Sequence, residues 1–400
     1  MIALLWALLG PAAACEAIAD VTVHTPTGPQ AGWDVAWDNG VILRVGPGAA
    51  AGCSTRRLPS GQLTPGLVAF GTALGLVEVS MEGGSHDDGG GAEPVRAALQ
   101  VIEGYNPRSV VIPVTRAGGI TASVIQPSGG FIAGQLGAVR LAGDTWDEAV
   151  LSRASGVRLS LREPGGVAAG ILRLEELLDD AAALAQAGAR GLEISEALSA
   201  SRRDLEVMAQ VGKGALPLVV EADQASDIEA VLRLRERRKL KVIVVGGAEA
   251  WLVAPQLAAA KVPVVIRPFV YGAGSFDQVH GREDNGALLR AAGVEVIIGA
   301  GDTHNARAMR FAAGNAVRGG MSHADALRAI TEAPATVFGL GGRGRIAVGA
   351  PADLALWTGD PLDTAGRLAA VWIDGAERSL STRQTALVDR WRDLKPVWAE

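Results

Sequence analysis

Arg345-Ile346-Ala347-Val348-Gly349-Ala350-Pro351-Ala352-Asp353-Leu354-Ala355-Leu356-Trp357 decides the fold. Two short apolar runs are separated here by Gly349 and Pro351, which reads as strands joined by turn chemistry. A third run, Val371-Trp372-Ile373-Asp374-Gly375, follows. Strands this short do not make a stable sheet alone, so partners are needed elsewhere in the chain. The N-terminal stretch from Ile18 to Arg57 supplies them. Val21-Thr22-Val23 and Val35-Ala36-Trp37 alternate, and Asp38-Asn39-Gly40 forms a tight hairpin turn before Val41-Ile42-Leu43. Pairing the two stretches (15–62 and 345–382) brings the chain ends together into one β-sandwich around an inserted domain.

The insert, 63–344, alternates apolar strand-like runs with helical ones. The runs Leu67 to Phe70, Ile120 to Ile125, Leu216 to Val220, Val242 to Val245, Val262 to Ile266 and Val294 to Ile298 read as buried parallel strands. Glu175 to Ala187 and Ile228 to Arg237 read as helices between them. Such alternation over about 280 residues implies a barrel or a doubly wound sheet, and the enclosing sandwich favours the barrel. The expected fold class is therefore α/β: a TIM-type (β/α)8 barrel with a composite β-sandwich domain formed by the N- and C-terminal segments. A Gly-rich loop, Gly83 to Gly91, follows the first barrel strand, and a C-terminal helix is expected over 383–400.

With 48% hydrophobic and 20% charged residues, the 400-residue chain can bury a large core. A net charge of −6 argues against a nucleic-acid surface, and the basic run Arg233 to Lys241 reads as a solvated helix face. The expected partner is a small-molecule substrate or ligand. Two cysteines, Cys15 and Cys53, cannot build a thiolate-rich zinc site; they can pair. Met1 to Ala14 is apolar and ends in Ala12-Ala13-Ala14, which matches an export signal with its cleavage site and places the protein in the periplasm or cell envelope. A lipid-modified Cys15 and a simple frayed terminus are the alternatives. No segment reads as transmembrane.

Four motifs carry a resemblance. Thr64-Pro65-Gly66-Leu67-Val68 resembles the step into the first barrel strand of the amidohydrolases, and Arg345 to Leu354 resembles their return into the sandwich. Ala326 to Ala335 resembles their last barrel helix, while Gly119-Ile120-Thr121 with Gly134-Gln135 is similar to the imidazolonepropionase-like branch. The resemblance implies hydrolysis of a non-peptide C–N bond, in a cyclic amide or a dipeptide-like amide, by metal-activated water. It also implies where the ligands belong, and most are missing. The His-x-His of the first strand falls on Gly71 and Ala73, the preceding aspartate on Ala69, the strand-five histidine on Glu221 and the strand-six histidine on Gly246. The strand-eight aspartate falls on Gly301 or Asp302, and no lysine suits strand four.

Asp302 and Glu221 are the catalytic candidates. Asp302 lies two residues from His304 and can form a ligand or acid–base pair with it; as a plain alternative it caps the next helix. Glu221 is a ligand, a base, or a polar mouth residue paired to an arginine. His304 and Arg116 are the substrate-binding candidates, Arg116 through a substrate carboxylate. The residues fix no cofactor; the one metal site they permit is a single zinc-like divalent ion on Glu221, Asp302 and His304. His86 reads as a solvated loop residue, Asp223 as structural and Asp227 as a helix N-cap. Two other readings compete with the hydrolase: an inactive barrel binding a small molecule or peptide, and a scaffold using the C-terminal helix.

Overall fold

The computed structural model describes residues 15–187, 198–268, 275–301 and 303–393. The expected N-terminal signal (1–14), Asp302 and the last residues of the expected C-terminal helix (394–400) lie outside them.

Eight strands form the sandwich: β1 (Glu16–Thr25), β2 (Gly28–Asp38), β3 (Val41–Gly46), β4 (Ser54–Arg57) and β5 (Gln62–Pro65) from the N-terminal side, and β14 (Leu354–Trp357), β15 (Leu368–Ile373) and β16 (Ala376–Arg378) from the C-terminal side. The order is β16-β15-β14-β5-β1-β2-β3, with β4 on β1. The two halves of the chain join at the antiparallel pair β5–β14. Their apolar faces close over one core of Ile18, Val35, Trp37, Ile42, Leu354 and Trp372. Cys15 and Cys53 form a disulfide that pins the start of β1 to the segment before β4.

The barrel sheet runs β6 (Leu67–Thr72), β7 (Ile120–Ile125), β8 (Ile132–Arg140), β9 (Val150–Ser160), β10 (Leu218–Ala222), β11 (Val242–Gly246), β12 (Val264–Ile266) and β13 (Val296–Ile298), each paired with the next. Ala300 N donates to Phe70 O (3.0 Å) across the seam between the first and last strands. At the other end Ala329 and Ile330 bridge the seam, accepting from Ile298 N and Val68 N. One strand departs from the (β/α)8 pattern. β8 runs antiparallel to both neighbours, so β7, β8 and β9 form a meander.

Strand alternation sorts the side chains. Val68, Phe70, Val124, Val219, Ile243, Val265 and Ile297 face the barrel interior, where Phe338 stacks on Phe70 (centroids 4.9 Å apart). Leu67, Leu218, Val220, Val244, Val264 and Ile298 face the surrounding helices, such as Val167–Ala187 and Ala225–Arg238. Burial on both faces explains why these strands read as unbroken apolar runs. The helix Arg383–Trp391 buries none of its residues. Among the described residues no helix is long and apolar enough to cross a membrane.

Candidate functional site at the barrel mouth

The C-terminal ends of the strands open onto a cavity of about 160 Å3 lined by Phe70, Gly71, Gln126, Arg158, Glu221, Val245, Val265, Arg267, Gly299 and Gly301. A wider cavity of about 580 Å3 lies beside it, sharing Arg267 and Gly301 and including Asp223, Gly246, Gln278, Asn285 and Gly286.

Glu221 shares the inward parity of Val219 on β10 and reaches this mouth, as its place on the fifth barrel strand implies. Its carboxylate is not available as a bare ligand, because Arg158 of β9 pairs with it. The Arg158 side chain is 19% exposed and that of Glu221 38%. Arg158 also donates from Nη1 to Pro127 O (2.5 Å), which fixes the guanidinium independently of the carboxylate. Of the three roles open to Glu221 in the sequence, the arginine-paired mouth residue describes this geometry.

The first strand has lost more than its imidazoles. The register shifts between Phe70 and Thr72, and Gly71 is the extra residue at φ +79°. A bulge there breaks the alternation that lets residues i and i+2 point inward together. Thr72 turns away to bond Ser123 (Oγ1···Oγ 2.9 Å), and Ala73 N donates to Thr303 Oγ1 (2.8 Å).

On the sixth strand the residue paired with Glu221 is Val245, while Gly246 pairs with Ala222 and sits at the rim. The cavity-lining position beside Glu221 is thus apolar. Gly246 has φ +101°, and a Cβ there would lie 2.5 Å from Asp223 Oδ1. The Asp223 carboxylate fills that space, accepting from Ala248 N (3.1 Å) and from Gln278 Nε2 (3.1 Å). Nearby, burial works to raise the Glu249 carboxyl, but hydrogen bonds from Ala225 N and the His280 ring outweigh it and hold its pKa below the usual range.

His304 stands at the rim after β13, tied to the loop that follows β6. One ring nitrogen, Nε2, donates to Glu78 O (3.0 Å), and the other, Nδ1, lies 3.1 Å from Ser80 Oγ. With Nε2 carrying the proton, the Nδ1 lone pair accepts the serine hydroxyl and neither nitrogen is open to a metal. Asp302 lies outside the described residues. Arg116 is elsewhere: it ends the helix Val111–Arg116 before the N-terminal end of β7 and donates to Leu141 O (2.9 Å). That is the face opposite the mouth, so Arg116 does not meet a ligand bound there. Asp227 is not an N-cap either; Gln224 holds that position, and Asp227, in the first turn, pairs with Arg162 (2.7 Å). His86 lies on its loop with Nε2 bonded to Val79 O (3.0 Å).

Among the described residues no three His, Cys, Asp or Glu side chains converge as a metal set. The donor chemistry agrees: Gly71, Ala73, Val245 and Gly246 offer no side-chain ligand, and Glu221 is neutralised by a guanidinium. These residues do not fit the metal centre that the fold's chemistry calls for. The reading by residues missed Arg158, Arg267 and Gln126. For Arg158 a signal existed: Val157-Arg158-Leu159 alternates with the polar residue inward, near the end of a strand.

The last part of the chain, residues 296–377, matches the sequence model of a family described as "Amidohydrolase family". A crystal structure of an amidohydrolase from Thermotoga maritima MSB8 superposes with a TM-score of 0.82 at 23% identity, covering 91% of this chain and 99% of that one. The chain has the amidohydrolase fold. This amidohydrolase-fold protein is also similar to an adenosine deaminase from Xanthomonas campestris with bound zinc (TM-score 0.52, 18% identity, 94% and 98% covered) and to a molinate hydrolase (TM-score 0.57, 15% identity, 96% and 97% covered). At these identities the likeness is one of fold. No curated protein matches this amidohydrolase-fold chain in sequence.

Proposed function

We propose that the barrel mouth binds a small molecule, and that this binding rather than metal-assisted hydrolysis is the function of the protein. One observation carries the reading. Among the described residues at the positions where the fold's chemistry requires ligands, this chain has Gly71, Ala73 and Gly246, and the carboxylate that replaces the strand-five histidine, Glu221, is held by Arg158. The neighbouring cavity of about 580 Å3 is in the range of small-ligand sites. Elemental analysis of the purified protein, alongside a thermal-shift screen of a broad metabolite library, tests this. The expected result is no stoichiometric divalent ion and at least one compound that raises Tm by preferential binding to the folded state. A tightly held ion whose removal abolishes hydrolysis of an amide or lactam overturns it.

A second reading keeps hydrolysis of a non-peptide C–N bond, in a cyclic or dipeptide-like amide, with Asp302 activating water. Its support is the hydrolase and the deaminase among the similar structures. Turnover of an amide panel that disappears in Asp302→Asn would favour it over binding alone.

We also infer export to the periplasm or cell envelope. The Cys15–Cys53 disulfide supports this, since such bonds persist in oxidising compartments. A lipid on Cys15 would need the same sulfur. Recovery of the protein in a periplasmic extract with no free thiol is expected; a cytosolic, fully reduced protein refutes the inference.

A further inference from the structure

The mouth cavity holds two guanidinium groups, Arg158 and Arg267, against one carboxylate, Glu221. Glu221 pairs with Arg158. Arg267 forms no hydrogen bond or ion pair with any described residue, although it lines both the 160 Å3 and the 580 Å3 cavities. Among the described residues lining it, the smaller cavity therefore has one guanidinium more than it has carboxylates, with the Gln126 side-chain amide and the apolar Phe70 and Val245 in the same lining.

We propose that the mouth binds a small organic carboxylate, whose carboxylate group sits against Arg267 and exchanges with Glu221 on Arg158. This rests on the binding reading above and names its ligand class. A guanidinium presents paired N–H donors that match the two oxygens of a carboxylate. Two such forks face one cavity, and one of them is already satisfied by a carboxylate of the chain itself. Glu221 thus marks the chemistry the site accepts and acts as its internal competitor. Its side chain is 38% exposed, so it can leave toward solvent. Arg158 stays aimed when it does, because Pro127 O holds Nη1 at 2.5 Å. The smaller cavity has room for about five waters at bulk density, enough for a carboxylate head group. The body of the ligand lies in the wider cavity, where Gln278 and Asn285 offer polar contacts.

The test is isothermal titration of the full chain, in a buffer free of carboxylate and phosphate, with propionate, succinate, propionamide and inorganic phosphate. Propionate or succinate binds and propionamide does not. Arg267→Met weakens the carboxylate at least about tenfold, and Arg267→Lys, which keeps the charge but not the fork, falls between. Glu221→Gln tightens the carboxylate about tenfold by removing the competitor, corresponding to about 1.4 kcal/mol. A base or metal ligand at Glu221 gives no such gain. Circular dichroism confirms that each variant is folded, and the two Arg267 variants carry the test if Glu221→Gln is not. Failure of both acids to bind at about 10 mM, phosphate binding in preference to them, or weaker binding by folded Glu221→Gln overturns the assignment. If the acids fail while a neutral compound from the library raises Tm, the ligand class falls and the binding function stands. If neither acids nor library bind, both fall.

Discussion

Replacing Gly246 with alanine asks whether the sixth barrel strand can still carry a side chain where the fold's chemistry would place a ligand. The backbone there has φ +101°, a region L-residues avoid, at a cost of about 1–2 kcal/mol. The added Cβ would lie 2.5 Å from Asp223 Oδ1 and 3.0 Å from its Cγ, about 1 Å inside ordinary contact. To make room the Asp223 carboxylate must leave its bonds from Ala248 N and Gln278 Nε2, each worth about 1 kcal/mol. Gly246→Ala should therefore destabilise the barrel by about 3–4 kcal/mol. In an Asp223→Ala background the overlap is gone and only the backbone strain of about 1–2 kcal/mol remains. The double-mutant cycle should show a coupling of about 2 kcal/mol. Urea unfolding followed by tryptophan fluorescence measures all four proteins. A cost for Gly246→Ala within about 0.5 kcal/mol of zero, or one equal in both backgrounds, refutes the reasoning. A histidine at 246 shares the same Cβ, so the experiment also decides whether a ligand can be restored there by one substitution.

Three further outcomes are expected. The Cys15–Cys53 bond closes a separation of 38 residues, so its removal in Cys15→Ser/Cys53→Ser should cost up to about 4 kcal/mol on the chain-entropy account; an unchanged sandwich midpoint in urea contradicts this. Arg343 is buried between Asp353 and Asp374, and Arg343→Met should cost about 3–5 kcal/mol by stranding the Asp353 charge, a figure that calorimetry can check. Burial pulls the His24 imidazole below its usual pKa, opposed by the Gln62 hydrogen bond, with the His323 ring lowering it further and Asp360 raising it. The unfolded chain then binds the proton more readily, so stability falls as pH drops through about 6.5 and levels off below the folded value. His24→Gln should lose less stability than wild type between about pH 7.5 and 5.5, and equal losses would count against the assignment.

The parts of the molecule legible in its sequence are those where backbone pattern and burial coincide. Strands buried on both faces, such as Val242–Gly246, spell themselves as apolar runs. β8 and β9 escaped because polar or bare positions interrupt them: on β8 Gln135 donates to Ala97 O (2.9 Å) outside the barrel, and on β9 the inward residue Arg158 points to the mouth. Glycines at 134 and 137 further dilute the strand signal where Leu99 and Ile102 press close. The absence of ligand histidines was visible in the sequence. What opposes refilling those positions was not, because the bulge at Gly71 and the Asp223 carboxylate beside Gly246 depend on the three-dimensional path of the chain. The Arg158–Glu221 pair spans 63 residues and needed the register of β9 on β10 to bring it together.

The motifs that resemble the amidohydrolases are legible for a related reason: in this chain they carry contacts that assemble the barrel and the sandwich. Gly66 N donates to Asp353 O (2.8 Å), joining the entry into the barrel to the return into the sandwich. Asp353 Oδ1 accepts from Asp374 N (2.8 Å) while Oδ2 meets Arg343. Thr64 Oγ1 accepts from Trp357 Nε1 (2.9 Å), tying the entry into the barrel to the strand that follows the return. In this chain each of these contacts ties the sandwich together or joins it to the barrel, whatever the barrel does. Ligand residues at a strand end are under no such constraint, because replacing them leaves the layers packed. A fold can therefore be read from its joints with high specificity while the same joints say nothing about activity. For this protein the informative residues are the ones the motifs do not contain: an arginine paired across strands to Glu221, the carboxylate standing at the strand-five histidine position, and a second arginine facing the same cavity with no described partner.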